Sequence, residues 1–378
     1  MQINDLADRI RDAAAKSESL EILGSGALRN IGKPVAAQSQ LRMESASGIE
    51  AYEPEELVLT ALAGTPRAAI EAELSAKGQM FAFEPPDLSH FTKAETSGTL
   101  GGMAATNLSG PRRVKSGAAR DHLLGFQAVS GRGEIFKAGG KVVKNVTGYD
   151  LPKLIAGSWG TLAVMHSLTF KVLPAPESEI TLILESLYPE QAIRAMAAAM
   201  NSPAEVSGAA YVPEKKRCLL RLEGVKPSLS ARHDMLAKAV AEFGNLERIT
   251  ASPSRQQWQA IRDGKVLQAR PEDAIWRISV APADGAKVLS GVMGARGYLD
   301  WAGGLVWLAV PGEYDAGVNE VLAVVKVLGG HASLIRASET IRQRIACRSP
   351  EEPAIAALSE KVRKGFDPAG ILNPGRMT

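Results

Sequence analysis

The chain has 378 residues and a net charge of +3, with 45% hydrophobic and 22% charged residues, the profile of a soluble globular protein long enough for two cores. So small a charge, with Arg112-Arg113-Val114-Lys115 as the densest basic run, excludes the clustered basic face of a nucleic-acid binder. Cys218 and Cys347 stand far apart and suit neither a disulfide framework nor an iron–sulfur site, as expected of thiols in a reducing compartment.

The first residues predict an amphipathic helix over 3–16, with Leu6, Ile10, Ala13 and Ala14 on one face. It lacks the apolar core of a secretory signal, and no stretch reaches the ~18 apolar residues of a membrane span, so a cytoplasmic location is expected. A short strand over 20–23 runs into Gly24-Ser25-Gly26. A second strand, 57–62, precedes a helix with Thr65 as N-cap, Pro66 at the first helical position and Gly78 after the last turn. Residues 122–137 read as a hairpin turned by Gly131-Arg132-Gly133. The strand from Thr161 to Leu173 alternates in its second half, with Leu168, Phe170 and Val172 opposite Thr169 and Lys171. Pro174 and Pro176 end it and place a domain boundary there.

Over 178–336 the glycine-rich loops disappear. Strands at 180–187, 217–222, 274–281, 305–310 and 331–336 alternate with helices near 189–200, 229–243, 254–263, 284–294 and 315–328. The pattern predicts an α+β cap built on an antiparallel sheet. Two helices near 338–346 and 352–364 lead into a tail rich in proline and glycine. The expected division is 1–176, a cap over 177–336, and 337–378 returning to the first domain.

Three glycine clusters stand at strand edges: Gly24-Ser25-Gly26-Ala27-Leu28, the run from Ser97 to Asn107, and Gly157-Ser158-Trp159-Gly160-Thr161-Leu162. Each alone reads equally well as a turn. Together they suit an anion cradle, because glycine lets successive N–H groups converge, and the small residues of 99–106 suit a helix whose first amides face a phosphate. None has the spacing of a Rossmann fingerprint or a P-loop.

These clusters carry a family resemblance. Thr99 to Ala105, Leu108 to Arg113, Gly117 to Gly125, Gly139 to Leu151 and Gly157 to Leu162 resemble the FAD-linked oxidases of the vanillyl-alcohol-oxidase type, and within them the FAD-binding subunits of bacterial glycolate oxidases. So do Trp276-Arg277, Asp300 to Gly304, Gly330 to Arg336 and Phe366 to Arg376. The resemblance implies an α+β fold: a two-subdomain, PCMH-type FAD-binding module with an antiparallel-sheet cap over the isoalloxazine. It places Gly24, Ser25, Gly26, Ala27, Leu28, Gly98, Thr99, Leu100, Gly101 and Gly102 on the pyrophosphate. The backbone around Thr161, Leu162 and Val164 falls on the adenine side, Gly160 also binds the cofactor, and Asn107 and Asn373 lie near the ribityl or ring end. With no histidine or cysteine in the first glycine loop, FAD is expected to be non-covalent. Tyr149 either covers the flavin or buttresses its loop.

The same resemblance implies oxidation of glycolate to glyoxylate, with a related flavoprotein subunit and an iron–sulfur subunit as partners. A self-sufficient 2-hydroxy-acid or alcohol dehydrogenase, and an electron-transfer or assembly subunit without turnover, remain open. Oxidising a small 2-hydroxy acid needs a cation for the carboxylate and a base for the hydroxyl proton. Arg277 and Arg336, with Arg376 from the tail, are the candidate cations, each also readable as solvent-facing or structural. His331 is the candidate base, or a structural hydrogen-bonding residue. No metal site is expected from the remaining histidines. Arg112-Arg113 reads as a solvated loop, a phosphate contact or a docking surface.

Overall fold

Leu6, Ala7, Ile10 and Ala13, spaced to share one helical face, are the buried residues of the helix Ile3–Ala15 in the computed structural model of the chain, which describes residues 1–140 and 148–377. The segment 141–147, most of the Gly139 to Leu151 family stretch, lies outside the described residues. The chain divides into two compact units. One comprises Met1–Leu108, Ala118–Ala175 and the residues from Pro350 onward, and the other Ser109–Gly117 with Pro176–Ser349.

In the first unit a five-stranded antiparallel sheet runs in the order Ile49–Glu53, Val58–Leu62, Ala163–Lys171, Leu123–Ser130, Ile135–Gly139. The alternation expected in the long strand holds: Leu168 and Phe170 are fully buried in one core with Phe81 and Phe83, while Thr169 meets Thr60 through their hydroxyls at 2.9 Å. Val164, on the other face, joins Leu6, Ile10 and Leu20 in a second core. Helix Arg67–Ala76 begins one residue later than expected, with Pro66 as its N-cap. Thr65 cannot cap it, because its hydroxyl accepts from the Gly48 amide and donates to the Leu62 carbonyl.

A smaller layer pairs Leu20–Leu23 in parallel with Ser39–Arg42. On the other side of Leu20 the tail adds itself as a further partner: Leu20 N donates to Ile371 O (2.7 Å) and Asn373 N to Leu20 O (2.9 Å).

The second unit holds an eight-stranded sheet, in the order Leu246–Thr250, Ser178–Leu184, Arg217–Gly224, Gly208–Val212, Arg296–Asp300, Leu305–Val310, Ala274–Ser279, His331–Arg336. Every neighbouring pair is antiparallel. Because strand side chains alternate faces, Leu182, Leu220, Trp276, Leu308 and Leu334 fall on one side. There they meet the apolar stripes of helices Pro189–Asn201, Lys226–Ala239 and Val318–Leu328. Three strands went unanticipated. Gly208–Val212 is buried at all five positions and so shows no alternation, Arg296–Asp300 opens on Arg-Gly, and Leu246–Thr250 is a half-exposed edge.

The segment Ser109–Gly117 is not a solvated loop. Arg112 forms a two-pronged ion pair with Glu223, Nε to Oε2 at 2.9 Å and Nη2 to Oε1 at 2.5 Å, both side chains being at most 10% exposed. Arg221 approaches the same carboxylate at 3.4 Å. Removing one partner of a buried pair leaves the other charge uncompensated. Glu223→Gln is therefore expected to destabilise the protein by about 3 kcal/mol, read as a lower midpoint in urea unfolding with little change in slope.

Candidate functional site

Beyond the end of Leu20–Leu23 the chain turns tightly. Arg29 N bonds Gly26 O (3.0 Å) and Ile31 N bonds Leu28 O (3.2 Å), with Gly26 in the left-handed region at φ 76°. The amides of Ser25, Gly26, Ala27 and Leu28 donate to no other group among the described residues. Four successive open N–H groups form a concavity suited to an anion. Facing them stand Gly98 and Thr99. A Cβ on Gly24 would sit 2.3 Å from Thr99 Oγ1, so only glycine lets the two segments approach.

A cleft opens here, lined by Gly24, Ser25, Gly26, Ala27, Leu28, Gly98, Thr99, Gly101, Gly102, Gly160 and Asn373. The expectation that helix Leu100–Thr106 aims its first amides at a phosphate does not hold. Leu100 N is bonded to Thr65 O (3.0 Å), Gly101 N to Ala63 O (2.8 Å) and Met103 N to Thr99 O (2.9 Å), and the Thr99 hydroxyl caps Gly102 N. Gly101 and Gly102 of the helix line the cleft, but its first amides are already bonded.

The other expected residues lie apart from the lining. Leu100 and Leu162 are core side chains, Val164 belongs to the opposite core, and the Thr161 hydroxyl donates to Ser158 O at 2.7 Å. Asn107 ends the helix in a left-handed conformation, its Oδ1 accepting from Arg120 N at 2.9 Å. Tyr149 is 91% exposed and does not line this cleft. Sequence reasoning missed Glu21, Arg29, Trp159 and Met165, which also line the cleft. Glu21 is buried and holds Arg29 through two 2.7 Å bonds. Arg376 lines it too, bonded to the carbonyls of Leu28, Arg29 and Lys33.

Asn373 sits at the seam. Its Oδ1 accepts from Ile22 N (2.7 Å) and its Nδ2 donates to Trp159 O (2.8 Å). One amide thus joins the first strand, the third glycine cluster and the tail. Gly160 has no room for a side chain there, since a Cβ would stand 2.7 Å from that Nδ2.

In the second unit, the sheet face opposite Trp276 and Ile278 collects the charged candidates. Arg277 opposes Ser333 and Trp307, and Ser279 opposes His331, so Arg277 and His331 share this face. Trp301 is clasped by Arg113 and Arg277, whose guanidinium carbons lie 4.1 and 4.9 Å from its ring centre. Its Nε1 donates to Gly110 O at 2.9 Å. Arg277 makes no hydrogen bond or ion pair among the described residues. Burial, then the charge of Arg113, push it down to about 10, so it stays charged at neutral pH. Burial lowers His331 below its ordinary value, aided by Arg277, Arg348 and Arg113. Arg336 is not part of this group: beyond a bulge at Ile275/Trp276, it donates to the carbonyls of Asp273 and Arg270. Among the described residues no three His, Cys, Asp or Glu side chains are grouped to hold a metal, and no helix is long and apolar enough to cross a membrane.

Residues 2–139 match the family described as FAD binding domain. The chain is 33% identical over 372 residues to glycolate oxidase subunit GlcE of Escherichia coli (strain K12), spanning 98% of this chain and 96% of that one. It is 38% identical over 133 residues to D-lactate dehydrogenase of Anaerostipes hadrus, 35% of this chain and 26% of that one. The fold resembles that of substrate-bound p-cresol methylhydroxylase, with a TM-score of 0.72 and 13% identity over 100% of this chain and 87% of that one.

Asn373→Ala would leave the Ile22 amide and the Trp159 carbonyl without their partner. Unsatisfied buried groups cost about 1–3 kcal/mol, so we expect a loss of about 2 kcal/mol, measured as a lower melting temperature.

Proposed function

The chain belongs to the FAD-linked oxidase family of the vanillyl-alcohol-oxidase type, with FAD as its cofactor, and from that membership we propose that it is the FAD-binding subunit of a glycolate-oxidase-type complex. Its substrate is a small 2-hydroxy acid, glycolate oxidised to glyoxylate. The observation carrying the choice of an acid over a neutral alcohol is Arg277, a guanidinium without hydrogen-bonding partner among the described residues, packed on Trp301 beside further positive charge.

The residues of the first unit fit FAD. The four open amides of Ser25 to Leu28 match a pyrophosphate, and Gly24, Gly98 and Gly102 leave backbone uncovered along the cleft. None of the lining residues is a histidine or cysteine, which supports non-covalent binding. When bound, FAD supplies the acceptor for the hydride leaving the substrate carbon.

In the second unit Arg277 holds the substrate carboxylate, its planar fork meeting two oxygens at once. His331 takes the hydroxyl proton on an imidazole nitrogen. Because its pKa is depressed, the ring is neutral and able to accept at pH 7. Proton and hydride together account for the two electrons and two hydrogens lost. The chain has two cysteines, too few to ligate a cluster itself, so the electrons pass to a related flavoprotein subunit and an iron–sulfur subunit. We place the protein in the cytoplasm, reaching a membrane through those partners.

The decisive experiment is anaerobic addition of glycolate to the purified yellow protein, alone and with its partner subunits. Bleaching of the flavin band is expected. A band that stays oxidised in both cases would remove glycolate oxidation from this chain. Arg277→Met is expected to raise KM for glycolate about 100-fold, the loss of a charge-assisted pair, with Arg277→Lys recovering part. For His331 the sign follows from its lowered pKa: kcat/KM stays level through neutral pH and declines in acid, at a lower pH than for an ordinary histidine, as the ring takes up a proton. His331→Gln should lose that acid limb and drop kcat by about 10²–10⁴.

A further inference from the structure

Arg376 was an expected cation for substrate, yet its donors are committed elsewhere. Nη1 donates to the carbonyls of Arg29 (2.9 Å) and Lys33 (3.0 Å), and Nη2 to that of Leu28 (2.7 Å). The guanidinium lies over the Trp159 ring, 5.3 Å from its centre, and the residue is 8% exposed. The segment it grips joins Leu20–Leu23 to Ser39–Arg42 and has no strand or helix of its own. Its order must therefore come from individual ties, each working against backbone entropy. Asn30 supplies one, Nδ2 to Thr92 O at 3.1 Å, and the Glu21–Arg29 pair another. Arg376 alone fixes three carbonyls, directly after the four open amides.

We infer that Arg376 is the positioning residue of the cofactor loop: by holding the carbonyls of Leu28, Arg29 and Lys33 it presets the amides of Ser25 to Leu28 for the FAD pyrophosphate. This rests on the reading of those amides as the pyrophosphate site. A preset loop loses less conformational freedom when ligand binds, so affinity rises without a new contact to the ligand. Arginine suits the task because its donors diverge in a rigid plane. A lysine ammonium carries the same charge but is a compact point that cannot span three carbonyls in this way.

The test titrates the full-length apoprotein with FAD, following flavin fluorescence at low and high salt, for Arg376→Ala, Arg376→Lys and Gly26→Val. Hydrogen exchange of the apoprotein reads the amides of Arg29 and Ile31, which bond inside the loop. Arg376→Ala is expected to raise the FAD dissociation constant at least tenfold and Arg376→Lys nearly as much. Both should speed exchange at those two amides with little change in melting temperature. Full recovery by lysine, or a loss of affinity that high salt abolishes, would overturn positioning in favour of simple attraction to phosphate. A loss matched by an equal fall in apoprotein stability would overturn it as general unfolding. Unchanged affinity in Arg376→Ala, with affinity lost in Gly26→Val, would sink this inference and leave the pyrophosphate site standing. Unchanged affinity in Gly26→Val would remove the site itself. Should Arg376→Ala fail to fold, Arg376→Lys with the exchange measurement decides the question.

Discussion

Four backbone N–H groups in succession, from Ser25 to Leu28, have no partner among the described residues, and folded chains rarely leave such groups unsatisfied unless water or a ligand meets them. Much of the first unit serves that one arrangement. Gly24 is small so that Thr99 can close in. The helix after Thr99 ties its own amides to Ala63 and Thr65, which docks it without drawing on the loop. Asn373 and Arg376 reach in from some 350 residues away to pin the strand before the loop and the carbonyls after its open amides. The geometry keeps donors available by bonding everything around them.

The second unit poses the opposite electrostatic situation. Its sheet buries one face under helices in an ordinary apolar core, while on the other Arg113 and Arg277 clasp a tryptophan and act on His331 by their charge. Burial first, and then the like charges brought together there, push both Arg277 and His331 toward their neutral forms. For the arginine that leaves the charge intact near neutrality. For the histidine it keeps the ring a proton acceptor. The same surroundings thus have different consequences for the two residues.

Much of this was legible in the sequence, and what escaped did so for physical reasons. Alternation announced the strand carrying Leu168 and Phe170, and the glycine clusters announced a cradle because glycine has few other uses in such density. Gly208–Val212 escaped because a strand buried on both faces does not alternate. The family resemblance singled out Asn373, but that both ends of its amide are engaged depends on Ile22 and Trp159 arriving beside it. Arg376 read as a substrate cation because sequence shows charge and not which carbonyls will occupy it. Arg336 was misleading for the same reason. The helix at Leu100 was foreseen, and only the loop at Ala63 to Thr65, folded against it, takes up the amides that a phosphate was expected to meet.

The tail's place beside Leu20–Leu23 bears on how the protein is made. Ile22 donates to a side chain 351 positions further along, so this strand leaves the ribosome long before its partner exists. Domains tend to fold as they emerge, and contacts so distant in sequence form late because a long loop must close first. The sheet of the second unit, local to its own stretch of chain, can assemble during synthesis, whereas the glycine-lined cleft waits for residues 371–376. Leu20–Leu23 gains its second set of backbone partners only once residues 371–373 have been made.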